Sequence, residues 1–230
     1  MQSKISKYSV NYFNEEEFHS LKREIFTNDC YYFQSNTPKP MIIDVGSYIG
    51  LSILYFKKLY PDSRIIAFEP NPIAFNMLKE NLFINNINDV ELHNTAIMDK
   101  MSEKDLYIDD TDMDRFSVAS FSKNAWNKKV VSRKIKVKTE KLDKYLKSEV
   151  DMLKLDVEGS EQAVLGSIKK YFNSIKNIVL EYHPIENQNL DKVIDLLHKQ
   201  YNLEILYEGK TLKRNIPKNK LLTIKATYKG

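Results

Sequence analysis

The stretch MIIDVGSYIG, residues 41–50, decides the fold of this chain. Apolar residues lead into Asp44, and glycines follow at positions 46 and 50, ahead of an apolar-periodic segment that runs to Tyr60. This order predicts a buried strand, a tight turn and a helix, which is the opening of a βαβ unit. Gly46 lets the backbone bend without a Cβ penalty, and Gly50 lets helix and strand pack closely. The turn therefore lies at the carboxyl end of a strand, where open α/β sheets bind ligands.

Composition and charge are those of an ordinary globular protein. The 230 residues are most simply one domain, and lysines and arginines exceed the acids by four, which is compatible with an anionic partner but does not require one. The single Cys30 excludes an internal disulfide, and no Cys/His grouping indicates zinc. There is no signal peptide and no apolar run of transmembrane length, so we expect a cytoplasmic protein without a membrane span.

Strands alternate with helices along most of the chain. Asn14, followed by three glutamates, predicts a helix start, so residues 1–40 are interpreted as an N-terminal helical extension. Residues 41–230 form the main domain, with a charged and aromatic insertion at about 99–135. The alternation predicts a doubly wound α/β fold with a mostly parallel sheet, and the last two strands predict an antiparallel hairpin at its edge.

Glu69 ends the second predicted strand, about twenty residues after the glycine turn. A carboxylate there faces the crevice and can accept two hydrogen bonds from a ribose diol, as in folds that bind adenosine cofactors. The Gly46-x-x-x-Gly50 spacing suits a ligand without a diphosphate, such as S-adenosylmethionine, better than NAD. A sulfonium cation also prefers nearby carboxylates, which Asp44, Asp156 and Glu158 supply from strand ends.

Four segments, in this order and spacing, carry a resemblance that covers residues 41–185. They are DVGSYIG (44–50), AFEPNP (67–72), KLDVEGSE (154–161) and EYHP (181–184). Together they resemble the FkbM family of class I S-adenosylmethionine-dependent methyltransferases. The resemblance implies a seven-stranded, mostly parallel sheet with an antiparallel edge strand and an S-adenosylmethionine site. It also implies O-methylation of a hydroxyl on a sugar, glycan or natural-product-like small molecule.

The same likeness assigns parts of the cofactor to positions in this chain. It puts Asp44 and Gly46 at the methionine end, Glu69 at the ribose, and the segment 94–96 near the adenine. The family usually has Asn where this chain has Tyr48, and a tyrosine adopts a left-handed backbone poorly, so we expect a local difference in the turn. The predicted cofactor-binding residues are Asp44, Gly46, Ser47, Gly50, Glu69, Asn71, Asn94, Ala96 and Asp156.

Methyl transfer to a hydroxyl profits from a general base, which adds on the order of 10²–10⁴ in rate. Four residues lie where an acceptor would arrive: Asp156, Glu158, Glu161 and His183. We predict Asp156 near the methyl group and His183 or Glu158 as the base. No metal is expected as part of the site, although some O-methyltransferases use magnesium, and Asp156 with Glu158 would be its ligands.

Two other signals point elsewhere and are weighed against this function. Asp110, Asp112 and Asp114 imitate a calcium loop, but positions six and twelve hold Arg115 and Phe121, so we interpret an acidic turn. A basic run beside Phe121 and Trp126 suits either a solvated strand edge or RNA, comprising Lys123, Lys128, Lys129, Arg133, Lys134, Lys136 and Lys138.

Three functions remain open besides the leading one. An RNA-directed ribose methyltransferase and a noncatalytic cofactor-binding subunit are the alternatives, and a nicotinamide oxidoreductase is more distant. The motif of base-N methylation, Asn/Asp-Pro-Pro-Tyr, is absent. We favour a small-molecule or glycan acceptor over nucleic acid, with the insertion as a wall of the acceptor pocket.

Overall fold

The computed structural model describes residues 1–109, 119–121, 132–186 and 188–230. Its α-helices are α1 (Glu15–Lys22), α2 (Leu51–Leu59), α3 (Pro72–Ile84), α4 (Glu161–Ile168) and α5 (Leu190–Leu197). A π-helical turn spans Arg23–Thr27, and 3₁₀ turns span Leu142–Tyr145 and Lys169–Ser174. The strands are β1 (Gln2–Ile5), β2 (Tyr8–Asn11), β3 (Met41–Val45), β4 (Arg64–Phe68), β5 (Val90–His93), β6 (Ala96–Ile97), β7 (Ser102–Asp109), β8 (Ala119–Ser120), β9 (Ser132–Glu140), β10 (Met152–Leu155), β11 (Asn177–Tyr182), β12 (Tyr201–Tyr207), β13 (Lys210–Leu212) and β14 (Leu222–Tyr228).

The main sheet has the order β13-β12-β14-β11-β10-β3-β4-β5. Strands β11, β10, β3, β4 and β5 are parallel, which confirms the doubly wound α/β prediction. Strand β14 runs antiparallel between β11 and β12, so the two strands predicted as a hairpin pair with each other, and β13 lies outside them at the edge. The eighth strand, β13, forms because Glu208 and Gly209 both have positive φ, the geometry of a tight hairpin turn.

Each central strand alternates its side chains between two hydrophobic clusters. Ile43 and Leu153 pack in the cluster that includes α4 and α5. Ile42, Met152 and Val179 face the opposite cluster, which includes α2 and the N-terminal segment, residues 1–40. Asp44, Lys154 and Glu181 stand two positions further along these strands, on the same face. The alternation thus places a row of charged side chains beneath the N-terminal segment.

We expected the N-terminal segment to be helical, but only part of it is. Helix α1 begins as predicted, with the Asn14 side chain accepting from the backbone N–H of Glu17 over 3.0 Å. Before it, β1 and β2 form an antiparallel hairpin. The amide oxygens of Asn81, on α3, and of Asn85, the residue after α3, accept from the backbone N–H groups of Asn11 and Ser9, at 2.7 Å and 2.9 Å. These long-range hydrogen bonds pair the backbone N–H groups along the edge of β2.

The insertion contributes to a second sheet of order β6-β9-β7-β8, which includes the strands predicted near residues 106–108 and 134–139. Leu106 and Val137 pack with Ala96 and Met98 in a small core. On the other face, Lys138 lies opposite Glu103, Lys136 opposite Asp105, and Lys134 Nζ is 2.9 Å from Asp105. Acidic side chains therefore lie beside the lysines of the basic run that the structure describes. The calcium-like acids and Lys123, Trp126, Lys128 and Lys129 lie outside the described residues, as do residues 117 and 118 of the strand predicted at 117–121.

Among the helices of the described ranges, none combines the length and the apolar composition needed to cross a membrane.

Candidate active site

The glycine turn after β3 keeps a left-handed backbone at three positions. Gly46 and Gly50 have φ of +84° and +92°, and Tyr48, the residue at which we expected a local difference, has φ of +47°. Two bonds hold Tyr48 in this disfavoured conformation. Its backbone N–H donates to Glu69 Oε2 over 2.8 Å, and its hydroxyl donates to Glu17 Oε2 over 2.6 Å. The N-terminal segment therefore helps to hold the turn.

Glu69 lies at the carboxyl end of β4 and is 6% exposed. Its two oxygens accept the backbone N–H groups of Tyr48 and Asn71, at 2.8 Å and 2.7 Å. Burial raises the pKa of Glu69 to about 7, although the two N–H donors oppose the shift. Each carboxylate oxygen can accept a further hydrogen bond, and the residue lines the main cavity. Glu69 thus has the acceptors that a ribose diol requires.

Several of the predicted cofactor residues do not line the cavity; their side chains instead form hydrogen bonds to backbone groups next to it. The Asn71 side chain caps α3 by accepting from the N–H of Ile73, as predicted. The Asn94 amide donates to the carbonyl of Glu69 over 2.8 Å, and the Ser47 hydroxyl donates to the carbonyl of Asp44 over 3.1 Å. Gly50 is the left-handed residue before α2. Of the predicted cofactor residues, those that line the cavity are Gly46, Glu69, Ala96 and Asp156.

The prediction that Asp44 contacts the cofactor is not supported by its position. Asp44 is fully buried, accepts from the Ser52 hydroxyl over 2.5 Å, and lies 3.3 Å from Lys154 Nζ. Lys154 also lies 3.6 Å from Asp156 Oδ2 and donates to the carbonyl of Gly46 over 2.6 Å. Burial alone would lower the pKa of Lys154, but the two aspartates hold it above its usual range. Asp44 therefore anchors the lysine that orients Asp156.

The cavity encloses about 370 Å³ between the sheet edge, the N-terminal segment and the insertion. This lies within the range of small-molecule sites, roughly 300–1,000 Å³. One group of lining residues is apolar and includes Phe68, Ala96, Ile97, Leu106 and Phe121. The other group is acidic, with Glu24, Asp156, Glu158 and Glu181 around His183.

These features fit S-adenosylmethionine. Apolar walls suit an adenine ring, and Glu69 suits the ribose. Asp156 Oδ1 is buried without a hydrogen-bond partner in the part of the chain that the structure describes, so a cationic ligand would relieve it.

The three predicted catalytic residues come together at the acidic group. His183 Nε2 lies 3.4 Å from Glu158 Oε2 and 3.9 Å from Asp156 Oδ1, and Nδ1 lies 2.8 Å from Glu161 Oε1. Glu158 has φ of +50° before Gly159, where a Cβ would lie 2.1 Å from Ile185. The turn at residues 156–159 (DVEG) is thus held in one conformation by Gly159 and by His183.

The surroundings of His183 weigh against its predicted role as the base. Burial alone would lower the pKa of His183, but Glu158, Glu161 and Asp156 raise it to about 10. The ring is then a cation at neutral pH and has no lone pair to take a proton. The ligand atoms of Asp156, Glu158 and His183 lie within 4.8 Å of one another. A metal ion would bind there only if His183 gave up its proton.

Sequence reasoning missed four residues of this site. Lys154 had a signal, since a lysine inside a buried strand requires charged partners, and Glu181 had the same signal as Glu69, an acid at a strand end. Glu24, which lines the cavity, and Tyr31, whose hydroxyl donates to Glu181, had none, because the N-terminal segment reaches the cavity through long-range packing.

Comparison with known proteins agrees with this geometry. The model of the methyltransferase FkbM domain matches residues 44–204, well over half of the chain. The chain is 30% identical over 187 residues to Methyltransferase 1 of Beauveria bassiana (strain ARSEF 2860), covering 73% of both chains. It is 26% identical over 178 residues to the 2-O-methyltransferase NoeI of Sinorhizobium fredii (strain NBRC 101917 / NGR234), covering 70% of this chain and 72% of that protein.

A solved structure shares the fold. The crystal structure of Methyltransferase FkbM from Methylobacillus flagellatus KT matches with a TM-score of 0.57 at 14% identity, covering 87% of this chain and 48% of that one. The chain therefore spans about half the length of that protein. From the family match and the identity to its relatives, the chain belongs to the FkbM family of S-adenosylmethionine-dependent methyltransferases.

Proposed function

We propose that this protein methylates a hydroxyl oxygen of a sugar, glycan or natural-product-like small molecule. The observation that carries the proposal is the acidic group of the cavity wall, Glu24, Asp156, Glu158 and Glu181. Carboxylates accept hydrogen bonds from hydroxyl groups and repel phosphates. NoeI, whose name describes a 2-O-methyltransferase, gives the same direction.

The charge of the site argues against RNA as the acceptor. Among the described residues that line the cavity, none is a lysine or arginine. Phosphate contacts need such side chains and make affinity fall steeply with salt. Lys136 and Lys138 of β9 lie opposite acids of β7, and Lys134 Nζ is 2.9 Å from Asp105. We therefore expect neutral acceptors, and transfer that changes little between low and high salt.

The chain's residues position the reactants. Bound S-adenosylmethionine supplies a methyl group on a positively charged sulfur. Glu69 would hold the ribose, and Asp156, oriented by Lys154, would lie beside the methyl group. Leu106 and Phe121 bring the insertion into the cavity wall, which supports its role in choosing the acceptor. Such positioning can contribute roughly 7–11 kcal/mol to an in-line displacement.

A thermal melt with S-adenosylmethionine, S-adenosylhomocysteine and NAD in parallel tests the cofactor site. A ligand at a hundredfold its dissociation constant adds about 2.7 kcal/mol, or a shift of roughly 5–10 °C at this size. We expect the two adenosyl compounds to raise the melting temperature and NAD to leave it unchanged. A rise with NAD alone would contradict the assigned cofactor.

Transfer assays then test the acceptor class. The full chain is incubated with S-adenosylmethionine and either a panel of methyl hexopyranosides or a short single-stranded RNA, and methylated products are identified by mass spectrometry. We expect methyl ethers of the sugars. Methylated RNA would favour the ribose-directed alternative, and cofactor binding without any single-turnover product would favour a noncatalytic subunit.

A further inference from the structure

One hydrogen bond connects the N-terminal segment to the cavity wall. The Tyr31 hydroxyl donates to Glu181 Oε1 over 2.5 Å. Tyr31 is only 3% exposed, and its ring lies over the ammonium of Lys154, with Nζ 5.3 Å from the ring centroid. A buried tyrosine has few side-chain torsions to restrict. The contact therefore fixes the orientation of the Glu181 carboxylate at little entropic cost.

Glu181 ends the strand next to the one that carries Asp156. Strands β10 and β11 pair in parallel with Leu155 opposite Leu180, so Asp156 and Glu181 follow side by side. Both line the cavity. A proton acceptor at Glu181 would thus be adjacent to Asp156, the residue proposed to lie beside the methyl group.

Three other acids near this point lie close to cations. Glu158 and Glu161 flank the protonated His183, at 3.4 Å and 2.8 Å. Asp156 lies 3.6 Å from Lys154 Nζ. A neighbouring cation stabilises the charged form of a carboxylate, although burial still raises the pKa of Glu158 well above its ordinary value. His183 and Lys154 also act on Glu181 electrostatically, but the hydrogen-bond donor that the structure gives Glu181 is a neutral hydroxyl.

We propose that Glu181 is the general base that takes the proton of the acceptor hydroxyl, and that Tyr31 is its positioning residue. This rests on the proposed function, O-methylation. The acceptor oxygen forms a bond to the methyl carbon while the carbon–sulfur bond of the donor breaks, and the electron pair of that bond stays on sulfur. The hydroxyl proton passes to the Glu181 carboxylate and leaves to solvent after the products depart.

The electrostatic surroundings of Glu181 suit this role. Burial, with Asp156 and Glu24 nearby, raises its pKa to about 8. A carboxylate that titrates near the working pH is a stronger base than an ordinary one, whereas the hydrogen bond from Tyr31 favours its charged form. The titratable groups that face Glu181 are Glu24, Cys30, Tyr31, Lys154, Asp156, Glu158 and His183.

The first test measures methyl transfer by the full chain to the methyl hexopyranoside panel. We expect Glu181→Gln to lower kcat about 100-fold or more, with unchanged affinity for S-adenosylhomocysteine. Glu80→Gln, on the exposed surface of α3, is the matched control and should keep wild-type kcat. A Glu181→Gln kcat within about threefold of wild type overturns the assignment. Wild-type protein that methylates RNA but no sugar overturns the proposed function instead.

The second test separates positioning from structural support. Tyr31→Phe should move the acidic limb of the kcat/KM profile to higher pH, because the carboxylate loses a donor that stabilises its charged form. Tyr32→Phe, which changes an exposed neighbouring ring, should leave the limb in place. A limb that does not move in Tyr31→Phe overturns the role of Tyr31.

A third readout needs no acceptor. Carbon-13 NMR of protein labelled at glutamate carboxyls follows Glu181, whose signal is assigned by its loss in Glu181→Gln. We expect this carboxyl to titrate near pH 8 and at higher pH in Tyr31→Phe. Titration at the ordinary value of about 4.3 would overturn the proposed base.

Discussion

Gly46 and Asp156 meet where the two turns of the site approach each other. A Cβ on Gly46 would lie 1.9 Å from the carbonyl oxygen of Asp156. Gly46 also has φ of +84°, a conformation that residues with a side chain rarely adopt. The turns after β3 and β10 can therefore reach this separation only with glycine at position 46.

Gly46→Ala should destabilise the protein by about 3 kcal/mol or more, since backbone strain and a clash with main-chain atoms add. Urea unfolding measures this change. Gly166→Ala is the matched control, because Gly166 lies in α4 with no atom near its missing Cβ. That substitution should stabilise the helix by roughly 0.5–1 kcal/mol. Equal effects at the two positions would contradict the proposed close contact.

Glu69→Gln should weaken S-adenosylhomocysteine binding by about tenfold or more, because a hydrogen bond to a charged group contributes roughly 1.5–3 kcal/mol. The amide would also direct a donor at the N–H of Tyr48 or Asn71. Since the pKa of Glu69 is about 7, wild-type affinity should rise as pH increases through 7, and the variant's affinity should not. Calorimetry at pH 6, 7 and 8 measures both, with Glu80→Gln as control. A variant that keeps the pH dependence would contradict the ribose role.

The raised pKa of Glu69 also predicts how the free energy of unfolding depends on pH. The pKa of folded Glu69, about 7, lies above its ordinary value of 4.5. Its stabilising contribution is therefore complete below pH 4.5 and is lost as pH rises through 7. Without ligand, the free energy of unfolding of Glu69→Gln should fall less than that of wild type between pH 5 and 8, as measured in urea.

Local sequence signals were sufficient for the ligand-binding edge of the sheet. The glycine turn, Glu69 and the Asn71 cap all arise from residues adjacent in the chain, and their geometry follows from backbone rules. The N-terminal hairpin could not be predicted in this way. Its edge is completed by Asn81 and Asn85, about seventy residues away.

The electrostatic surroundings of His183 are the part of the site that the sequence could not indicate. A histidine near acids is predicted to be a base when only its residue type and its position in the sequence are known. In the structure three carboxylates converge on one ring. Their combined attraction for the imidazolium outweighs the cost of burying its charge. The number of acids that meet at one atom depends on turns after two different strands, which the sequence pattern does not give.

Lys154→Met should destabilise the protein by about 3–5 kcal/mol, because it leaves Asp44 buried without a cation. The double variant Lys154→Met with Asp44→Asn should recover part of this loss. Urea unfolding of the single and double variants measures the coupling. Lys218→Met removes a surface ion pair with Asp191 and should change stability by about 1 kcal/mol or less. No recovery in the double variant would contradict the pairing.

His183→Gln should destabilise the protein most at low pH. The pKa of folded His183, about 10, lies above its ordinary value of 6.5. The imidazolium therefore contributes fully below pH 6.5, and its contribution is lost as pH rises through 10. Unfolding at pH 6, 8 and 10 should show a difference of about 3 kcal/mol that shrinks with pH. His198→Gln, at an exposed position, should show about 0.5 kcal/mol or less throughout. A difference that stays constant to pH 10 would mean that His183 is neutral in the folded protein and would restore it as a candidate base.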